Sequence, residues 1–160
     1  MFWIVTIAVI LLDQISKYIV LHYLPQGEFI NIIDGWFGLS FIWNDGASFS
    51  ILEGRQTLFL IITVAALLGM VWLLPRIPRD YRFFRACLGA FTGGAIGNFI
   101  DRLRFGKVID FLYMRYYTSN IADAFLTVSV ILICLMLLFG RAGKLLEGKN
   151  KEKNKYDKDV

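Results

Sequence analysis

Four stretches of nearly continuous apolar residues dominate the pattern along the chain. They cover roughly residues 1–23, 57–75, 83–100 and 121–139, and each approaches the roughly 20 apolar residues that a helix needs to cross a bilayer. The first stretch lacks the basic start and the A-x-A cleavage site of a secretory signal peptide, so we expect it to be retained as a helix. The pattern predicts an all-α membrane protein whose one domain, residues 1–140, is a bundle of four transmembrane helices.

The pattern changes between the first two helices, where short apolar and aromatic runs alternate with turn residues. Asp34–Gly35 and Asp45–Gly46 are dipeptides typical of hairpin turns. We therefore expect a small antiparallel β-sheet within about residues 24–50, lying on the outer membrane surface, where aromatic rings are favoured. An irregular loop with aromatic anchors is the alternative.

Composition supports the membrane class and excludes several others. The chain is 57% hydrophobic with a net charge of +4 and a mean hydropathy of +0.58, well above that of a soluble domain. The charge is modest, so we expect no nucleic-acid partner. Cys87 and Cys134 stand singly in apolar runs without metal-binding spacing, and we expect both to be buried, with no disulfide framework and no metal site.

The distribution of arginine and lysine predicts the orientation. The link between helices two and three holds four arginines, and the tail after residue 139 holds Arg141 and six lysines. The positive-inside rule places both, and therefore both termini, in the cytoplasm. Segments 24–56 and 103–119 then face outward. The basic tail, residues 141–160, is predicted to be disordered in the cytoplasm.

Charged residues inside the apolar stretches need an explanation, because each costs roughly 2.5–3.5 kcal/mol on insertion. In helix one, Asp13 and Lys17 are four residues apart and so share a face. Two interpretations stay open: an ion pair that locks the bundle, and a direct chemical role.

Helix three combines small and polar residues. Glycines recur every fourth position over residues 89–97, a stripe that lets a second helix approach closely. Asn98 and Asp101 follow on one helical face. Arg102 could be an interfacial anchor, and Asp101 with Arg102 could be an ordinary surface pair.

Two further aspartates lie within and just after the second outward segment. Asp110 lies between apolar residues, and Asp123 follows Asn120 at the start of helix four. The structural interpretations are a solvated loop carboxylate and an N-capped helix with an acid in its first turn. Two carboxylates near a low-dielectric boundary do not readily both ionise. Such a pair can activate a water and protonate a leaving amine.

Five motifs occur in a recognisable order: DQISK, NDGASF, GNFIDR, VIDF and NIAD. In this order and these topological places the chain resembles the bacterial lipoprotein signal peptidase (signal peptidase II) family over residues 1 to about 140. The resemblance implies an intramembrane aspartic endopeptidase of the bacterial inner membrane. It would cut the signal peptide from prolipoproteins just before the diacylglyceryl-modified cysteine, with Asp110 and Asp123 as the catalytic pair.

The resemblance also implies supporting residues and partners. The supporting and substrate-positioning residues would be Asp13, Lys17, Asn44, Gly46, Asn98, Asp101, Arg102 and Asn120. The partners would be diacylated prolipoproteins, membrane lipids and globomycin-type inhibitors, with no cofactor and no metal. We expect a monomer whose active site lies near the outer leaflet.

Other functions remain open on the sequence. A serine/lysine peptidase could use Lys17 as base and Ser48 or Ser50 as nucleophile. A small transporter could pass protons along its buried aspartates, and a non-catalytic scaffold is the third alternative. Within the aspartate hypothesis, Asp101 is the alternative to Asp110.

Overall fold

The computed structural model describes residues 1–46 and 56–139. Its helices are α1 (Phe2–Tyr23), α2 (Gln56–Leu73), α3 (Arg82–Phe105) and α4 (Ile121–Phe139), and a 3-10 turn, Leu74–Arg76, follows α2. Within the described residues, four helical segments are long and apolar enough to cross a membrane. The predicted four-helix bundle is confirmed. The predicted cytoplasmic tail lies outside the described residues.

Helix α3 is longer than its apolar pattern indicated. It continues past residue 100 to Phe105, so that Asp101 and Arg102 belong to the helix rather than to its end. The helix stops at Gly106, whose φ of 72° is left-handed, a conformation that glycine adopts without steric cost.

The predicted antiparallel sheet is confirmed, but it is larger than predicted. Its strands are β1 (Phe29–Ile33), β2 (Phe37–Asn44), β3 (Val108–Met114) and β4 (Tyr117–Ser119), and they are neighbours in that order. Only the first two come from the segment where a sheet was expected. The other two come from residues 108–119 in the second outward segment, and Asp110 pairs with Ile42 in the β2–β3 ladder. The solvated-loop interpretation of Asp110 is therefore wrong.

The glycine stripe of α3 packs against α1, as predicted. A Cβ atom added at Gly89 would lie 2.6 Å from the carbonyl oxygen of Phe2, and one at Gly97 would lie 2.5 Å from Oδ2 of Asp13. Both distances are below van der Waals contact. Only glycine therefore allows the two helices to approach closely enough for their polar side chains to meet.

The bundle directs many apolar side chains outward. Within the described part of the chain, α2 has no buried residue. Cys87 is buried as predicted, but Cys134 on α4 is exposed, which corrects the second half of that prediction. An apolar run in the sequence does not distinguish a buried cysteine from one that faces outward. Lipid accommodates an outward-facing apolar side chain as well as the protein interior accommodates a buried one.

We predict that Gly89→Ala destabilises the bundle by about 1–3 kcal/mol, the usual cost of overpacking. Gly69→Ala on α2 is the matched control, because no atom lies within 4 Å of its added Cβ; it should leave the midpoint of thermal unfolding in detergent unchanged or slightly higher. Equal midpoints for the two variants would show that the α1–α3 contact is not tight at Gly89.

Candidate active site

The ammonium group of Lys17 is the centre of a buried polar network. Its Nζ lies 2.8 Å from Oδ2 of Asp13 and 2.8 Å from Oδ2 of Asp101, and it donates to Oδ1 of Asn98 at 2.9 Å. An ammonium has three donors, and each has an acceptor here. The predicted Asp13–Lys17 pair is formed, and it is extended by α3.

The two carboxylates that hold Lys17 also bind backbone groups of other elements. Oδ1 of Asp13 accepts the N–H of Ala122 in the first turn of α4 at 2.9 Å. Oδ2 of Asp101 accepts the N–H of Ile109 in β3 at 3.2 Å. Asp101 is 1% exposed, so its interpretation as a surface pair with Arg102 is wrong. The cluster joins α1 and α3 to α4 and to the sheet.

Sequence reasoning missed Gln14. Its Nε2 lies 3.2 Å from Oδ2 of Asp13, 3.0 Å from Oδ1 of Asp101 and 3.2 Å from the carbonyl oxygen of Gly97. The signal was present in the sequence, because a glutamine within a spanning helix needs a partner inside the protein, as a charged residue does.

Two asparagine amides connect this cluster to the aspartates of the outward segment. Asn98 accepts from Lys17 and donates through Nδ2 to Oδ1 of Asp123 at 2.7 Å. Nδ2 of Asn120 lies 3.1 Å from Oδ1 of Asn98 and 2.7 Å from Oδ1 of Asp110. Oδ1 of Asn120 accepts the N–H of Asp123 at 2.9 Å, which is the predicted N-cap. Asp110 and Asp123 are therefore linked by hydrogen bonds through the side-chain amides of Asn98 and Asn120.

Asp110 is a buried carboxylate with a donor at each oxygen. It is 2% exposed, and Asn44 donates to Oδ2 at 2.7 Å while Asn120 donates to Oδ1 at 2.7 Å. Burial, with a further contribution from the charge of Asp123, raises the pKa of Asp110 to about 7, although both amide donors and the Lys17 charge oppose the shift. The carboxyl group therefore exchanges its proton near neutral pH.

A cavity of about 580 Å³ between α2, α3 and α4 reaches the polar network at Asp123 and Asn98. Arg102 also lines the cavity; its guanidinium lies 4.7 Å above the ring of Phe59, and its Nη2 is 3.4 Å from the carbonyl oxygen of Gly46. Arg102 is half-buried on the cavity wall. The alternative of a purely interfacial anchor does not describe this position.

The structure brings all of the predicted site residues into the network or onto the cavity wall, while their roles remain predictions. They are Asp13, Lys17, Asn44, Gly46, Asn98, Asp101, Arg102, Asp110, Asn120 and Asp123. The two serines of the alternative mechanism, Ser48 and Ser50, lie outside the described residues.

Comparison with known proteins identifies the family of this chain. The family model described as signal peptidase (SPase) II, peptidase family A8, matches residues 5–139. The chain belongs to the signal peptidase II family. Family membership makes it a protease, and the aspartic type follows from the family. Together with the four helices among the described residues that are long and apolar enough to cross a membrane, family membership makes it a bacterial membrane protein. The transporter and scaffold alternatives are not favoured.

Relatives and solved structures agree with this assignment. The chain is 39% identical over 137 residues to a lipoprotein signal peptidase of Listeria monocytogenes, covering 82% of this chain and 89% of the relative. It is 39% identical over 142 residues to the lipoprotein signal peptidase of Halalkalibacterium halodurans, covering 86% and 91%. A bacterial membrane enzyme structure obtained by the in meso method is similar with a TM-score of 0.80 at 33% identity, covering 84% of this chain and 85% of that one.

We predict that Lys17→Met lowers the free energy of unfolding by about 3–5 kcal/mol, because it leaves the carboxylates of Asp13 and Asp101 buried without their cation. Lys107→Met is the matched control. Lys107 pairs with Asp45 at 3.5 Å, and its side chain is 46% exposed, so its loss should cost less than about 1 kcal/mol. Chemical unfolding in detergent measures both; equal losses would contradict the central position of Lys17.

Proposed function

We propose that this protein is an intramembrane aspartic endopeptidase that removes the signal peptide from diacylglyceryl-modified prolipoproteins, cleaving just before the lipidated cysteine. The observation that carries the proposal is the coupling of Asp110 and Asp123 through Asn98 and Asn120 at the polar end of a cavity between helices. The names of the relatives, lipoprotein signal peptidases, supply the substrate class.

The hydrogen bonds favour Asp110 over Asp101 as the partner of Asp123. Both oxygens of Asp101 are occupied, Oδ1 by Gln14 and Oδ2 by Lys17 and the N–H of Ile109. We assign Asp101 a positioning role, because it holds β3 at the residue before Asp110. Both oxygens of Asp110 also accept hydrogen bonds, but from the neutral amides of Asn44 and Asn120, and no ion pair among the described residues includes Asp110.

The two carboxyl groups would share one proton during the reaction. The ionised group takes a proton from a water molecule, and that water attacks the scissile carbonyl carbon. The protonated group donates a hydrogen bond to the carbonyl oxygen, and a proton then passes to the leaving amine as the C–N bond breaks. No covalent intermediate forms. Because the pair is coupled, its two ionisations belong to both groups.

Lys17 would act on this pair by orienting amides. Its ammonium can only donate, so it holds Oδ1 of Asn98 towards itself and turns Nδ2 of Asn98 towards Asp123. The N–H of Asp123 fixes Asn120 in the same way and turns its Nδ2 towards Asp110. Each aspartate thus receives an N–H whose direction is set by a group outside the reaction.

The lining of the cavity is consistent with a substrate that stays in the lipid. Ile62, Val130 and Ile131 line it, and these side chains are about half exposed. A diacylated peptide could therefore reach Asp123 sideways from the membrane. We place the site near the outer leaflet of the inner membrane with both termini in the cytoplasm, since the arginine-rich link lies at the other end. Globomycin-type inhibitors would occupy this same cavity.

A serine/lysine mechanism is less consistent with the contacts of Lys17. A lysine must be neutral to act as a general base, but two carboxylates lie 2.8 Å from the ammonium group of Lys17. The three hydrogens of this group are directed at Asp13, Asp101 and Asn98. The aspartate pair is the better candidate.

We predict that Asp110→Asn and Asp123→Asn each lower cleavage at least about 100-fold, since each removes a group that must exchange a proton. The assay is cleavage of a diacylated prolipoprotein by the purified variants in detergent. Asp45→Asn, which alters only a part-exposed carboxylate paired with Lys107, is the matched control and should retain most activity, as should Ser48→Ala/Ser50→Ala.

Two results would redirect the assignment. Near-normal turnover by a folded Asp110→Asn together with an inactive, folded Asp101→Asn would move the catalytic role to Asp101. Loss of cleavage in the double serine variant alone would favour the serine/lysine mechanism. Unfolding midpoints measured in parallel separate loss of chemistry from loss of fold.

We predict that cleavage falls as the pH rises above about 7, because the pair then loses the proton it needs, in line with the pKa of Asp110. Asn44→Ala removes an N–H donor that stabilises the ionised form, so it should raise the pKa and move the alkaline decline to higher pH. Asn31→Ala, at an exposed amide on β1, should leave the midpoint unchanged. A shift of the Asn44→Ala midpoint to lower pH would contradict the proposed contact.

A further inference from the structure

A second polar cavity lies at the opposite end of the bundle from the aspartates. It has a volume of about 460 Å³, and its charged lining residues are Arg79, Asp80, Arg82 and Arg85. These residues precede or begin α3, whereas Asp101 and the network described above lie near the end of that helix. Most of the length of α3 therefore separates the basic cavity from Asp101 and its network.

One wall of this cavity is held in place by Arg85. Its Nη1 donates to the carbonyl oxygens of Leu74 at 3.1 Å and Ile77 at 2.7 Å. These are the carbonyls at the end of the helical segment that contains α2, and they attract a cation. Arg85 thus fastens the end of α2 to the start of α3 and leaves its charge beside the cavity.

The other two arginines have no such partner. Within residues 1–46 and 56–139, the ion pairs involve only Lys17 and Lys107, and neither Arg79 nor Arg82 forms a side-chain hydrogen bond. Both are exposed. The cavity carries three arginines against one aspartate, and the positive end of the α3 dipole adds to this field. An anion is the ligand that this charge distribution favours.

The aromatic side chains place this cavity at the level of lipid headgroups. Trp72, in the last turn of α2, is 62% exposed, and the guanidinium of Arg76 lies 3.7 Å from the centre of its ring. Tryptophan with a stacked arginine is typical of the boundary between hydrocarbon and water. The cavity begins a few residues further along the chain, just outside the apolar length of α2.

We propose that this cavity binds the phosphate of an anionic phospholipid of the phosphatidylglycerol type, in the leaflet opposite the aspartates. The planar forks of Arg79 and Arg82 match two phosphate oxygens, and basic pockets at the ends of membrane helices favour anionic headgroups. Met1, just before α1, also lines the cavity, so a ligand bound there bridges the start of α1 to the start of α3 and stabilises the bundle. The inference does not rest on the proposed peptidase mechanism.

The test is thermal unfolding of the full chain in a zwitterionic detergent with added dioctanoyl-phosphatidylglycerol, dioctanoyl-phosphatidylcholine or inorganic phosphate. We expect the anionic lipid alone to raise the midpoint, by roughly 3 °C or more near saturation. The rise should fall by at least half in Arg79→Gln/Arg82→Gln. The rise should persist in Arg104→Gln/Arg115→Gln, the matched control. This variant loses the same charge, but from exposed residues nearer the end of the bundle that holds the aspartates.

Three outcomes overturn the proposal. An equal loss in both double variants would show that net charge alone attracts the lipid. An equal rise with inorganic phosphate would show that the site takes free phosphate, and an equal rise with the zwitterionic lipid would remove the charge argument. If Arg79→Gln/Arg82→Gln does not fold, Arg79→Lys/Arg82→Lys keeps the charge without the planar fork. Native mass spectrometry should then show fewer retained phosphatidylglycerol molecules than in the wild type, and equal retention contradicts the site.

Discussion

The fold of this protein depends on one buried cation. Lys17 lies among Asp13, Asp101 and Asn98 with all three of its donors used, in a medium where an unpaired charge would be very costly. The carboxylates extend the contact to Ala122 in α4 and Ile109 in β3. A single ammonium group therefore determines how three helices and the sheet are placed relative to one another.

The same constraint orients the side chains of the candidate active site. In the membrane interior, polar groups must be satisfied within the protein, and among the described residues no buried side-chain nitrogen or oxygen lacks a hydrogen bond. Asn98 and Asn120 meet this requirement in only one orientation each, because their oxygens are held by a cation and by a backbone N–H. Their donors consequently point at Asp123 and Asp110. Stability and chemistry share one set of hydrogen bonds.

The two ends of the bundle are built for different tasks. At one end, neutral amides and a half-buried arginine surround two carboxyl groups beside a cavity that lipid-facing residues line. At the other end, three arginines and the start of α3 line a basic cavity. The close α1–α3 packing at Gly89 and Gly97 connects them, so a lipid bound at the basic end would stabilise the same helices that hold the peptidase site.

The sequence by itself determined the four helices, because the length of an apolar run is a local property and a bilayer demands that length. It also identified the charged residues within those runs, since each is costly wherever it lies. Only the tertiary structure decided which partner each would have: that β3 joins β2 and buries Asp110, that Lys17 claims Asp101, that Gln14 belongs to the network, and that Cys134 faces outward. Hydrogen-bond partners come from distant parts of the chain. Which partners meet depends on the rotation of each helix about its axis, and the apolar pattern hardly indicates that rotation, because lipid and the protein interior both accept apolar side chains.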